Sequence, residues 1–167
     1  MKGNKPSQVA KPACVPLKCR ADPHLRILVV DDDSDLRLLY ADALARPGYD
    51  VDVAGDGAAG WEALQANRYN LLITDNDVPK VSGVELVKKL RAARMALPVV
   101  MAARRLPAHE LARNPALQLA ATLPKPFSID ELLETVKRVL RATDSVGGQI
   151  QPLPDWRNQP SADGLRL

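Results

Sequence analysis

Two acidic segments of this chain attract attention because each follows directly on an apolar run. The segments read ILVVDDD (residues 27–33) and LLITDND (residues 71–77). Each apolar run has the length and residue types of a buried strand, so the carboxylates are expected where the strands end. Clustered carboxylates repel one another, and hard oxygen ligands with room for water suit Mg²⁺. The carboxylates concerned are Asp31, Asp32 and Asp33 after the first run, and Asp75 and Asp77 after the second.

A lysine follows a later apolar stretch in the same manner. Lys125 stands in TLPKPF, and its ammonium is a compact point charge suited to a phosphate oxygen. A metal ion and a lysine together neutralise a phosphoryl group while a fixed carboxylate attacks phosphorus in line. If these residues meet, the chemistry they predict is the formation of an aspartyl-phosphate on Asp75.

Alternating strand and helix patterns supply the elements that would bring these residues together. They predict an α/β fold with a doubly wound, five-stranded parallel sheet in the flavodoxin-like order 2-1-3-4-5. In that order, the ends of the first and third strands lie roughly 5 Å apart, and Lys125 starts roughly 10 Å from Asp75. The predicted strands span residues 25–30, 51–54, 71–74, 98–102 and 120–124, and the helices span 34–46, 57–67, 82–94 and 128–142.

Local signals refine the predicted helices. Asp56 has the position of a helix cap, and Ser82 and Ser128 each precede a glutamate at capping-box spacing. Between the last two strands, Pro107 and Pro115 leave room only for a short fourth helix. The helix over 34–46 is predicted to turn one face to the core, formed by Leu36, Leu39, Tyr40, Ala43 and Leu44.

Composition and charge divide the 167 residues into three parts. Residues 25–142 carry no net charge, whereas residues 1–24 carry +4 and residues 143–167 carry −1. We therefore expect a flexible basic tail, a neutral domain that does not bind DNA directly, and a second flexible tail that contains prolines. No apolar run approaches the ~18 residues that a membrane span requires, and the expected location is cytoplasmic.

The motifs ILVVDDD, LLITDNDVPKVSGVEL, LPVVMAA and TLPKPF resemble the receiver domain of two-component response regulators, in order and in spacing. The resemblance covers roughly residues 25–142 and implies a role in a phosphorelay. It implies a histidine kinase or a histidine phosphotransfer protein as phosphate donor, with a downstream protein partner that the motifs do not identify. Because nothing after residue 142 resembles an output domain, the resemblance favours a stand-alone receiver that is not an enzyme in its own right.

The same resemblance assigns roles to the acidic residues and the lysine. It implies that Asp75 is the phosphoacceptor and that Asp31 and Asp32 are the acidic pair that holds Mg²⁺ together with Asp75. The backbone carbonyl of Asp77 would be a further metal ligand. Lys125 would pair with the phosphoryl group, and its peptide bond to the following proline would be cis.

Two positions depart from the family pattern. Receivers usually have Ser or Thr at the end of strand four, where this chain has Ala103, and an aromatic residue in strand five, where it has Thr122. Both halves of the usual conformational switch are therefore absent. Arg104 and Arg105 follow at once, and their side chains either contact the phosphoryl group or simply face solvent.

Two other functions remain open at this point. Phosphatases of the haloacid-dehalogenase type also use an aspartate in a D-x-D motif with Mg²⁺, which Asp75 and Asp77 satisfy. Their motif opens the domain on its first strand, however, and here it follows the third. Alternatively, the missing switch residues are compatible with a receiver-like docking module that no longer switches on phosphorylation.

Overall fold

Strands and helices alternate along the chain as the sequence pattern predicts. The computed structural model describes residues 25–146, so the predicted tails over 1–24 and 147–167 lie outside the described residues. The strands are β1 (Arg26–Val30), β2 (Asp50–Ala54), β3 (Leu71–Thr74), β4 (Val99–Ala103) and β5 (Ala121–Pro124). The helices are α1 (Ser34–Ala45), α2 (Gly57–Ala66), α3 (Gly83–Ala92), α4 (Ala108–Arg113) and α5 (Ile129–Val146), with a 3₁₀ turn over Pro115–Leu117.

The five strands form one parallel sheet in the order β2-β1-β3-β4-β5, which confirms the predicted fold. Val30 at the end of β1 is in register with Thr74 at the end of β3. Asp31 and Asp75 are therefore the next residues on neighbouring strands. The backbone N–H of Asp75 still donates to the Val30 carbonyl, at 2.9 Å. The sheet thus brings the two acidic segments to one edge.

Helices cover both faces of the sheet, and the strands of its centre are buried on both sides. Apolar side chains alternate between the two faces, which explains why β1, β3 and β4 read as continuous apolar runs. Burial of this apolar area is the main stabilising term, at roughly 25 cal/mol per Å². Against α2 and α3 lie Leu28, Val30, Leu72, Val99 and Met101. On the side of α1 and α5 lie Ile27, Val29, Leu71, Ile73 and Val100.

Helix α1 differs from its predicted inward face. Tyr40, Ala43 and Leu44 are buried, but Leu39 is 48% exposed, so its predicted burial is wrong. The buried stripe of α1 is narrower than the pattern indicates, because the Tyr40 ring fills the space beneath the helix. This ring stacks on the Phe127 ring, with 5.4 Å between the ring centroids. Leu39 therefore lies on the flank of the stripe and not within it.

The predicted helix caps are present. The Asp56 side chain accepts a hydrogen bond from the N–H of Ala59 at 2.8 Å. Ser82 and Glu85 form a reciprocal capping box at the start of α3. Ser128 and Glu131 make the same exchange at the start of α5. These hydrogen bonds satisfy N–H groups that a helix start otherwise leaves without partners.

The last two helices differ in how firmly they are held. Helix α4 spans only six residues, has no buried residue and has no side-chain cap, as expected from the two flanking prolines. Helix α5 continues through Val146, the last described residue and four residues beyond the predicted end of the helix. No helix between residues 25 and 146 is both long enough and apolar enough to cross a membrane.

One glycine at the start of α2 supports a testable prediction. A Cβ on Gly57 would lie 1.8 Å from the Val81 carbonyl oxygen, which belongs to the loop after β3. Gly57→Ala should therefore lower the free energy of unfolding by about 1–3 kcal/mol, because backbone atoms must shift. In Gly55→Ala, the matched control, the three atoms nearest to the new Cβ all belong to the flexible Arg37 side chain, the nearest at 3.3 Å. Urea unfolding should separate the variants, and equal midpoints would contradict this packing argument.

Candidate functional site

A cleft at the carboxyl edge of the sheet contains the acidic residues and the lysine. Its volume of about 190 Å³ is several times the roughly 30 Å³ that a water molecule occupies in the liquid. A hydrated cation and a small anion therefore fit within it. The residues that line the cleft are Asp31, Asp32, Asp33, Leu36, Asp75, Asp77, Arg104 and Lys125.

Lys125 joins the ends of three strands through one ammonium group. Its Nζ donates to Asp31 Oδ2 at 2.7 Å and to Asp75 Oδ2 at 2.6 Å. All three side chains are less than 10% exposed. Burial disfavours the ammonium ion, but the hydrogen bonds to Asp31 and Asp75 outweigh it and raise the pKa of Lys125. The lysine therefore carries its charge at neutral pH.

Backbone groups fix the other oxygen of each buried carboxylate. Asp31 Oδ1 accepts from the N–H of Asp33, and Asp75 Oδ1 accepts from the N–H of Asp77, both at 3.0 Å. Each carboxylate is thus held on one side by the turn that follows its strand and on the other by Lys125. The two carboxylates are consequently well fixed in orientation before any ligand binds.

The third acidic group of the cluster has no such support. Ligand oxygens of Asp31, Asp32 and Asp75 all lie within 4.8 Å of one another. Asp32 is exposed, and within residues 25–146 its carboxylate has no hydrogen-bond or ion-pair partner. Oxygen ligands at 2.0–2.1 Å from one Mg²⁺ lie about 3–4 Å apart, so three hard oxygens at this spacing fit that ion.

Asp33 and Asp77 differ from the cluster in position. Asp33 caps α1, because its Oδ1 accepts from the N–H groups of Asp35 and Leu36. Asp77 lines the cleft with an exposed side chain, and its backbone belongs to the turn that holds Asp75. The structure therefore brings four of the five acidic residues to the cleft without a competing capping role.

The turn that carries Asp77 is anchored to the rest of the domain. The Asn76 side chain accepts from the N–H of Val84, and the Asn76 carbonyl accepts from the N–H of Gly83. Farther along, Lys80 adopts a positive φ of 67° and pairs with Asp56 at 2.7 Å. These contacts give the loop beside Asp75 a defined shape.

The two positions that depart from the family pattern lie on β4 and β5. Ala103 is fully buried at the end of β4, and its carbonyl accepts from the N–H of Lys125 at 3.0 Å. Thr122 is exposed on β5 and does not line the cleft. Arg104 does line it, whereas Arg105 does not. The peptide bond between Lys125 and Pro126 is cis, as the resemblance implies.

Arg37 is a residue that the sequence analysis missed. Its Nη1 donates to the Asp31 carbonyl at 2.6 Å, and its guanidinium lies against Gly55. Arg37 thereby holds the backbone of the acidic segment from the first turns of α1. Nothing in the sequence marks this arginine, because a contact from a side chain to a backbone carbonyl leaves no pattern in residue type.

The comparisons with known proteins agree with this geometry. A family model described as the response regulator receiver domain matches residues 27–137. The chain is 31% identical over 120 residues to the transcriptional regulatory protein RprY of Bacteroides fragilis. This alignment covers 72% of this chain and 51% of RprY. The chain spans about half the length of the curated relatives it matches.

Solved structures give the same result over the described part of the chain. A Francisella response regulator receiver domain is 28% identical with a TM-score of 0.66, covering 72% of this chain and 99% of that one. The Thermotoga maritima response regulator TrrA, solved in complex with Mg²⁺ and BeF, is 29% identical with a TM-score of 0.62. That match covers 69% of this chain and 98% of TrrA.

The unsupported carboxylate of Asp32 leads to a prediction about metal binding. Asp32→Asn should weaken Mg²⁺ binding about tenfold or more, because a charged ligand is lost. Without Mg²⁺, the same change should preserve the melting temperature or raise it, since repulsion between charges about 4 Å apart costs about 1 kcal/mol in water. Isothermal titration calorimetry and thermal unfolding measure the two effects.

Asp35→Asn is the control for Asp32→Asn, because Asp35 lies in the first turn of α1 and outside the cluster. It should leave Mg²⁺ affinity unchanged and lower stability slightly, since an acidic residue near a helix N-terminus is favourable. Unchanged Mg²⁺ affinity in Asp32→Asn would contradict the metal site.

Proposed function

The chain belongs to the response regulator receiver domain family, whose function is phosphorelay signal transduction, and we propose that Asp75 accepts the phosphoryl group. Three observations support Asp75. It follows the central strand of the sheet, its carboxylate is fixed by the Asp77 N–H, and it shares the Lys125 ammonium with Asp31. The last of these carries the most weight, because Lys125 already lies where charge develops during the transfer.

The proposed reaction is an in-line displacement at phosphorus. An Asp75 carboxylate oxygen forms the new P–O bond while the P–N bond of a phosphohistidine breaks. The imidazole leaves with the bonding electron pair and takes up a proton from water. Lys125 donates to a phosphoryl oxygen, and its raised pKa keeps it charged for this role.

Mg²⁺ is the cofactor that we propose for this site. The carboxylates of Asp31, Asp32 and Asp75 and the backbone carbonyl of Asp77 would hold it, and their hard oxygen atoms suit this ion. When bound, Mg²⁺ neutralises negative charge on the transferring group. The protein's own contribution is to hold the carboxylates of Asp31 and Asp75 and the ammonium of Lys125 in position before the donor arrives.

The donor that we propose is a histidine kinase or a histidine phosphotransfer protein in the cytoplasm. Receiver domains take their phosphoryl group from such proteins, and nothing in this cleft requires a different donor. The absence of net charge over residues 25–142 supports a domain that acts on another protein and not on DNA directly. The downstream partner is not specified by the site.

The two rival functions have less support. The D-x-D motif follows β3, not β1, so the phosphatase arrangement is not reproduced. The docking module rests only on Ala103 and Thr122, and the comparisons give it no further support. What these two residues do affect is the consequence of phosphorylation.

The acceptor assignment can be tested by mass spectrometry. Acetyl phosphate with Mg²⁺ should add one phosphoryl group to the wild type and none to Asp75→Asn, because Asp75 is the one described carboxylate that both follows the central strand and shares the Lys125 ammonium with Asp31. Asp77→Asn is the matched control and should still be labelled, since only its backbone is assigned a role. Equal labelling of the wild type and Asp75→Asn would refute the assignment.

The missing switch residues predict a weak response on the face of the domain formed by α4, β5 and α5. Ala103 cannot donate to the phosphoryl group, so a charge-assisted hydrogen bond of roughly 1.5–3 kcal/mol is absent. A ligand shifts a conformational equilibrium only through its differential contacts with the two states, and this loss reduces the shift by about tenfold or more. Beryllofluoride should therefore change amide NMR shifts mainly in the loops around Asp31, Asp75 and Lys125.

Shifts of equal size across residues 108–122 and 128–140 would contradict this expectation. Ala103→Thr restores the hydroxyl and should strengthen the response at long range. If it does not, Thr122 is the more serious change, because no aromatic ring is available to move behind the restored hydroxyl.

A further inference from the structure

Arg104 lines the cleft beside the proposed acceptor, at the position after the missing hydroxyl. We infer that Arg104 is a phosphoryl-binding residue, whose guanidinium supplies the contact that Ala103 cannot make. This inference rests on the proposed function, since it requires a phosphoryl group on Asp75. It assigns to this chain a second cation for the phosphoryl group, in addition to Lys125.

The strand register explains why Arg104 reaches this group. Thr74, the last residue of β3, pairs with Met101 on β4, and Asp75 directly follows Thr74. Arg104 lies three residues after Met101 on the neighbouring strand's side of this edge. On the other side, Ala103 pairs with Pro124, which directly precedes Lys125. Arg104 therefore leaves the same edge of the sheet, from the strand that lies between those of Asp75 and Lys125.

The Arg104 side chain is available for a ligand. It is exposed, and it has no hydrogen bond or ion pair within residues 25–146. Arg37 and Arg91 differ in this respect, because their guanidinium groups are bound to backbone carbonyls and hold loops together. No hydrogen bond or ion pair within the described residues ties the Arg104 guanidinium to a structural task of this kind.

The charges of the cleft favour a second cation once phosphate arrives. Five carboxylates line the cleft, and its other cation, Lys125, is already shared by Asp31 and Asp75. A phosphoryl group brings a charge of about −1.5 to −2 and three acceptor oxygens. A guanidinium presents several N–H donors in a planar fork that matches such oxygens. Arg104 thus binds the phosphoryl oxygens that neither Lys125 nor the metal occupies.

This role predicts effects of opposite sign on two ligands. A guanidinium near the acidic cluster repels a divalent cation, so its removal should leave Mg²⁺ affinity unchanged or increase it. The same removal should weaken the binding of beryllofluoride, the phosphoryl mimic, because a donor to its fluorine atoms is lost. If Arg104 had only a structural role, its removal would instead weaken the binding of both Mg²⁺ and beryllofluoride.

The experiment compares Arg104→Ala, Arg104→Lys and Arg105→Ala with the wild type. Calorimetry gives the affinity for Mg²⁺ alone, and an NMR titration gives the affinity for beryllofluoride at saturating Mg²⁺. Arg104→Ala should lower the affinity for beryllofluoride by about tenfold or more. Arg104→Lys should recover part of that loss, because it keeps the charge and loses the fork. Arg105→Ala, the neighbouring arginine outside the cleft, should match the wild type.

If the wild type binds beryllofluoride and is phosphorylated on Asp75, three results would overturn the role of Arg104 without affecting the proposed function. They are unchanged beryllofluoride affinity in Arg104→Ala, an equal loss in Arg105→Ala, and a joint loss of Mg²⁺ and beryllofluoride affinity in Arg104→Ala. A wild type that binds Mg²⁺ but neither binds beryllofluoride nor accepts a phosphoryl group would overturn the proposed function, and the inference with it.

Discussion

The hydrogen bonds from Lys125 to Asp31 and Asp75 are the interaction on which the site depends. The parallel sheet forces two carboxylates to the same edge, because their strands are neighbours in register. In a buried place, such carboxylates repel each other strongly unless a cation lies between them. Lys125 supplies that cation from the far side of β4, and the N–H groups of the two following turns hold the remaining oxygens.

The same arrangement leaves the site with excess negative charge. Lys125 offsets only one of the two negative charges of Asp31 and Asp75, and Asp32 adds a further negative charge that no described side chain balances. A site with excess negative charge and fixed oxygens binds a divalent cation readily, and the bound cation then makes the site receptive to an anion. Repulsion in the free domain and the proposed affinity for Mg²⁺ with a phosphoryl group would therefore have a common origin.

The sequence was sufficient for the fold and for the acidic cluster, and it failed where side-chain direction decides. Every strand end was predicted within one residue, because each buried strand is a short apolar run that ends at a turn or carboxylate. Leu39 was assigned to the core wrongly, since the helical period does not reveal that Tyr40 fills the space. Arg37 was missed, and Arg104 could not be distinguished from Arg105, because residue type does not show which long side chain contacts the acidic segment or which one lines the cleft.

We propose that Asp75 accepts the phosphoryl group within a cluster that a metal ion completes. The most direct measurement is a crystal structure of the protein with Mg²⁺ and beryllofluoride. We expect beryllium bonded to an Asp75 carboxylate oxygen, the metal on Asp31, Asp32 and Asp75, and Lys125 in contact with fluorine. Beryllium on Asp32 or Asp77, or a metal that contacts none of the three carboxylates, would contradict the assignment of Asp75 as acceptor in a metal site.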